Sequence, residues 1–158
     1  MAAERAMRMT AGSCYSVLAA AALAEVHGAG RAVPASVLAE RTGAPQDFLL
    51  QLLQVLRRAG VVESVRGAAG GFRLAAPPAE ITVGRVLRAA EGSGGFLSVA
   101  EAGLRAGSRG AGGAAEAALG LVLSETERAV ARALDTLTLA AVLEGASGRR
   151  GAPPDYQI

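Results

Sequence analysis

Arg57 to Leu74 reads RRAGVVESVRGAAGGFRL, and the fold turns on this stretch. Two short strand-forming runs, Val61 to Val65 and Phe72 to Leu74, flank a tip that holds Gly67, Gly70 and Gly71. The pattern predicts a β-hairpin. A lone two-stranded hairpin is marginal in water, so this one has to rest on neighbouring helices. GAAGG is not a nucleotide cradle. It lacks the G-x-G-x-x-G spacing and the Gly-Lys-Ser/Thr ending, and a strand follows it where a phosphate-binding loop needs a helix.

Working back towards the N-terminus, a first helix is expected from about Thr10 to His27, with Cys14, Val17, Leu18, Ala21 and Ala24 recurring on one face. Gly28 and Gly30 end it. Pro34 suits the start of a short helix that runs to Thr42 with Val37 and Leu38 inward, stopped by Gly43. Ala44 and Pro45 open a third helix to about Ala59. It should bury Phe48, Leu49, Leu52, Leu53 and Leu56 and end at Gly60, in the position of a C-terminal glycine cap. Two helices joined by the tight turn Thr42 to Pro45 form a helix-turn-helix. The second carries a polar face of Gln46, Asp47, Gln51, Gln54, Arg57 and Arg58, residue types that reach base edges and phosphates. A solvated helix face is the plainer alternative for such a row taken alone. Helix, turn, helix and hairpin together are far more specific, and they make the hairpin a wing. Arg66 at its tip and Arg73 on its return strand can then meet phosphate, while Gly70 and Gly71 let a backbone approach closely.

The 158 residues suffice for one domain with an appendage and a real core. Basic charge comes entirely from arginine, and it is uneven. Residues 1–92 hold 10 arginines against 7 acids (+3), while residues 93–158 hold 6 against 7 (−1). The hairpin lies in the basic half, although an asymmetry of this size does not by itself establish DNA binding. The one cysteine, Cys14, excludes an intramolecular disulfide and any site needing several thiolates, and suits a reducing cytoplasm. The apolar run Val17 to Ala24 is alanine-rich and closes on Glu25 and His27, unlike a secretion signal. No segment approaches the roughly 20 apolar residues of a membrane span.

The stretch VPASVLAERTGAPQDFLLQLLQVLRRAGVVESVRGAAGGFRLAAPPAEITVGRVLRAAEG, residues 33–92, resembles the Rrf-two (Rrf2) family of bacterial transcriptional regulators. The likeness begins at MRMT, Met7 to Thr10, and resumes at LTLAAVL, Leu137 to Leu143. Its most specific pieces are the SVRGAAGGF wing, PPAEIT, and the AEG at Ala90 to Gly92. The resemblance implies a homodimeric winged helix protein on partly palindromic double-stranded operator DNA. It places Pro45, Asp47 and Gln51 at base-facing positions, and Arg66 at the wing arginine that enters the minor groove. An arginine there suits the negative potential of a narrow, A·T-rich groove. Two departures matter. Leu50, within FLLQ, stands where the family often has glutamate, and Pro45 offers no side-chain hydrogen bond. Cluster-binding relatives carry three cysteines in the region after Gly92, and this chain has none there.

Beyond Ala90 come a Gly- and Ser-rich connection, a weak helical stretch near Ser98 to Ala106, and the low-complexity GSRGAGG, Gly107 to Gly113. From Ala114 the apolar spacing turns regular. Leu119, Leu123, Thr126, Val130, Ala133 and Leu137 are spaced 4, 3, 4, 3 and 4 apart, a heptad seam on one long helix that predicts dimerisation; intrachain core is the alternative. Thr138 to Glu144 adds a last turn or two.

The expected fold is therefore α+β and mostly helical. Residues 1–6 form a flexible leader, 7–92 a winged helix DNA-binding domain, 93–113 a Gly-rich connection, 114–144 the dimerisation helix and terminal turn, and 145–158 a disordered tail. No catalytic constellation is visible, and His27 reads as a helix-terminal histidine favoured by the dipole. Cys14 reads as a buried, inert thiol in preference to a redox sensor. The expected function is a cytoplasmic homodimeric repressor with no enzyme activity, no metal and no iron-sulfur cluster. Regulation, where present, falls to a small-molecule effector, a partner or oxidation of Cys14. The alternative is a winged helix interaction module that has lost DNA binding.

Overall fold

The computed structural model describes residues 9–92 and 113–149. Chain order is α1 (Ala11–Glu25), a 3-10 turn (His27–Ala29), α2 (Ala35–Thr42), α3 (Gln46–Arg58), β1 (Val62–Val65), β2 (Gly71–Leu74), α4 (Val83–Glu91), α5 (Ala114–Thr136) and α6 (Leu139–Arg149). The leader, residues 93–112 of the connection with its weak helical stretch, and residues 150–158 of the tail lie outside the described residues.

Helix α1 is the central element, packing on α2, α3, α4, α6 and β2. Thr10 caps it by accepting from the Ser13 amide at 3.1 Å, satisfying a donor that the first turn leaves open. The buried residues of α1 are Ser13, Ser16, Ala19, Ala20, Ala22, Leu23 and Ala24, so of the face that the spacing predicts only Ala24 is fully inward. Cys14 is exposed, as is Leu18. An alanine-rich helix that is apolar nearly all round has no preferred phase of its own. The smaller stripe goes inward because it lets α4 come close, and because the Ser13 hydroxyl finds the Glu91 carboxylate at the end of α4. Glu91 also accepts from Thr10 Oγ1 at 2.9 Å, which ties the AEG segment to the start of α1.

Helix α3 behaves as its leucines dictate. Leu49, Leu53 and Leu56 are fully buried and Leu52 nearly so. Phe48, expected inside, sits on the flank of that stripe, exposed, with its ring edge-on to Tyr15 at 6.1 Å. Val37 of α2 is also outside, and Leu38 and Ala39 face the core in its place. An eight-residue helix packed on two neighbours has room inside for only a narrow stripe.

The hairpin is antiparallel, with Val62 opposite Leu74 and Val65 opposite Gly71. Its support is more than helical. Val33 adds a third rung beside β2, exchanging both backbone hydrogen bonds with Phe72 at 2.8 Å. Val61, Val62, Phe72 and Leu74 close the core beneath.

After Thr136 the chain turns instead of continuing one helix. Leu137 is extended, Thr82 and Thr138 form an antiparallel bridge, and Leu139 drops into the core with no exposure. Helix α6 then packs on α1. Gly145 to Arg149, expected to be tail, belongs to this helix. Its anchorage by Leu139 and Leu143 supplies burial that local composition does not signal.

Candidate nucleic-acid interface

The helix-turn-helix is set by local chemistry. Gly43 closes α2 in the left-handed region (φ 70°), its amide bonding Ala39 O at 2.9 Å. Thr42 Oγ1 donates to Leu38 O at 2.7 Å. Pro45 caps α3, whose first regular residue is Gln46. With the leucines locked inward, Gln46, Asp47 and Gln51 project into solvent from the first two turns, and Pro45 is exposed beside them. Asp47 also lies where a carboxylate favours the helix dipole. Leu50, by contrast, is only half-exposed and packs against the core. At 100° per residue it falls between the polar face and Leu53, so where the family often has glutamate this chain has a leucine that partly packs.

Arg57 and Arg58 are exposed but stand roughly 15 Å further along the axis, at 1.5 Å per residue. Arg57 Nη1 donates to Ser64 Oγ at 3.3 Å, bracing the base of the wing. At the tip, Arg66 is exposed, with no ion-pair partner among the described residues. Arg73 differs, being paired with Glu63 across the hairpin, so its charge is partly spent within the sheet. Arg31 lies near it, on a cleft of about 310 Å³ shared with His27 and Glu63. Nothing in sequence order singled out Arg31, because the rung formed by Val33 is what brings it alongside β2.

The wing glycines have an intramolecular reason to be glycines. A Cβ on Gly70 would lie 2.5 Å from Val65 O, and one on Gly71 would lie 2.3 Å from Val33 O. Gly71 also has φ 150°. Close approach governs both positions, and the approaching backbone in this structure is the protein's own.

A Gln/Asp face on a helix-turn-helix, joined to a hairpin with an arginine at its tip, sits in the part of the chain matched by a family model. That model is Rrf2, described as iron-dependent transcriptional regulator, and it spans residues 9–145. The chain belongs to the Rrf2 family. It is similar to the HTH-type transcriptional regulator IscR of Aliivibrio salmonicida, 41% identical over 87 residues that are 55% of this chain and 51% of that protein. This Rrf2 chain spans about half the length of the curated relatives it matches. Among solved structures, T. potens IscR superposes with a TM-score of 0.71 at 32% identity, covering 96% of each chain. CymR, the global cysteine regulator of B. subtilis, does so with 0.65 at 27%, covering 87% of this chain and 96% of the other. The architecture is thus that of winged helix Rrf2 regulators, mostly helical with one small sheet.

Iron is named in the family description, and the donors of this Rrf2 chain do not fit it. The sequence has one cysteine and one histidine, and residues 93–112 contribute a single carboxylate, Glu101, and no thiol. Among the described residues no three His, Cys, Asp or Glu side chains come together as a metal site. Clusters are held chiefly by thiolates, and Cys14 alone, exposed on α1, is one.

The seam of α5 emerges from the helix as an open stripe. Leu119 is 38% and Val122 60% exposed; Leu123 and Val130 are partly covered; Thr126 and Ala133 are exposed. Leu137 is 39% exposed but lies past the helix end. Val122, absent from the strict heptad, lies on the same stripe at 3.6 residues per turn. Among the described elements, α5 packs only on α4 to any extent. No helix among the described residues is long and apolar enough to cross a membrane.

Proposed function

We propose that this chain is a sequence-specific DNA-binding transcriptional repressor that acts as a homodimer and needs no iron-sulfur cluster to bind its operator. The observation that carries the reading is one rigid block. The outward residues Gln46, Asp47 and Gln51 stand on a helix whose inner leucines are locked, and the same helix is bonded through Arg57 and Ser64 to a wing that presents a free Arg66. The recognition helix reads base edges in the major groove. Arg66 reaches the adjacent minor groove, and Arg58 and Arg73 add phosphate contacts. Two such blocks related by a two-fold axis match a partly palindromic site. The stripe of α5 formed by the exposed Leu119 and Val122 and the partly covered Leu123 and Val130 is the surface by which the two copies join.

The test is selection of genomic fragments by the full chain, followed by titration of the selected site at several salt concentrations. A phosphate-contacting protein loses affinity steeply as salt rises. Absence of salt-dependent binding to any fragment would leave the fold serving protein interaction instead. Anaerobically purified protein should bind while colourless; a brown protein with stoichiometric iron and sulfide would overturn the cluster-free reading.

A further inference from the structure

Two arginines one turn apart on α4 hold different neighbours, Arg85 the end of α3 and Arg88 the end of α5. Arg85 Nη2 donates to Gly60 O at 3.0 Å and to Ala59 O at 3.3 Å, the open carbonyls where α3 ends. A cation at this place meets the negative end of the helix dipole. Arg88 Nη2 pairs with Asp135 Oδ1 at 2.6 Å, in the last turn of α5. Near both, Gly84 is buried, and a Cβ there would lie 2.2 Å from Asp135 Oδ1 and 3.1 Å from the Leu134 carbonyl carbon. At Gly84, helix α4 therefore meets the Asp135 carboxylate and the backbone of α5 with no room for a side chain of its own. The backbone straps the same junction, the Val83 amide bonding Leu137 O at 2.8 Å and the Leu139 amide bonding Ile81 O at 2.9 Å.

We infer that α4 is a strut that sets operator half-site spacing, with Gly84, Arg85 and Arg88 as its positioning residues. Arg85 fixes the strut to the recognition helix. Gly84 and Arg88 fix it to the helix through which the two copies join. In a two-fold dimer the separation and tilt of the recognition helices decide which half-site spacing is accepted. An exposed ion pair such as Arg88–Asp135 adds little to stability, so its effect shows in spacing discrimination. The inference rests on the reading of the chain as a dimeric DNA-binding protein, and it needs none of these three residues to touch DNA.

The experiment uses the full chain and duplexes carrying two copies of the selected half-site, with the spacer shortened or lengthened one base pair at a time, beside a duplex with a single half-site. The parent should prefer one spacer. Gly84→Ala should shift or flatten that preference by about fivefold or more, with dimer sedimentation and single-half-site affinity close to the parent's. Arg88→Gln should flatten it by about threefold, and Arg88→Lys should restore it. If Gly84→Ala does not fold, Arg88→Gln decides. Parental spacing preference in Arg88→Gln, or an equal loss on single and paired half-sites, overturns the strut. A parent that binds no DNA overturns the proposed function instead, and the strut with it.

Discussion

Residues 9–92 and helix α5 follow opposite rules of burial. In the first, Leu23, Leu38, Leu49, Leu53, Leu56, Val61 and Ile81 lose essentially all contact with water. In the second, Leu119 and Val122 remain exposed beside the partly covered Leu123 and Val130, on a helix that touches the rest of the chain near one end. The winged unit buries a continuous core within one chain and leaves only scattered apolar side chains, such as Leu18, Val37 and Phe48, outside. Helix α5 does not, and an apolar stripe of this length left in water marks an interface. On the proposed function the difference separates two roles, one surface for DNA and one for a second copy.

The largest expected effect breaks the second region and spares the first. Replacing Leu123 and Val130 together by aspartate puts a charge into the apolar seam and should cost about 3–5 kcal/mol of association free energy. Sedimentation should show a monomer whose circular dichroism still reports the folded wing unit; an intact dimer would return α5 to intrachain packing. The converse break is Gly71→Ala. With φ 150° and the Val33 carbonyl 2.3 Å from the new Cβ, the rung between Val33 and Phe72 has to open. A loss of about 3 kcal/mol is expected in denaturant unfolding, and an unchanged midpoint would refute the steric account.

Two smaller effects sharpen the contrast within the winged unit. Arg66→Ala should weaken operator binding by about 1–3 kcal/mol without moving the melting temperature, since the side chain packs against no core group. Equal affinity in mutant and parent would remove the wing from the interface. Ser16 lies at the other extreme. Its hydroxyl is fully buried and unpartnered, so Ser16→Ala should stabilise by about 1 kcal/mol in thermal unfolding. Destabilisation would mean that the hydroxyl has a partner, such as an ordered water.

Legibility tracked the strength of local pattern. The α3 leucines, the tight turn at Gly43 and the hairpin all carry periodicity or turn chemistry within a few residues, and each is found where that chemistry requires; the heptad spacing lies on α5 only as far as Ala133, with Leu137 past the helix end. Phe48, Val37, Cys14 and Leu18 were misplaced because an apolar residue on a short or alanine-rich helix can face either way. What decides is the volume available between particular neighbours. Leu50 shows the same limit from the polar side, since a residue in a polar row still packs when the helix surface curves back towards the core. Leu50→Glu should therefore cost stability as well as alter base preference.

The amino-acid sequence determined the element types, the helix-turn-helix and wing, the tip arginine, the scarcity of metal donors and the seam, because each depends on residue identity and short-range spacing. Only the tertiary structure decided which face of α1 is buried, that Val33 joins the sheet, that Leu139 closes the core from beyond the long helix, and that Gly84, Arg85 and Arg88 tie three helices together. Those outcomes depend on which segments, distant in sequence, come within a few ångströms. Such contacts are selected by packing and hydrogen-bond satisfaction across the whole chain.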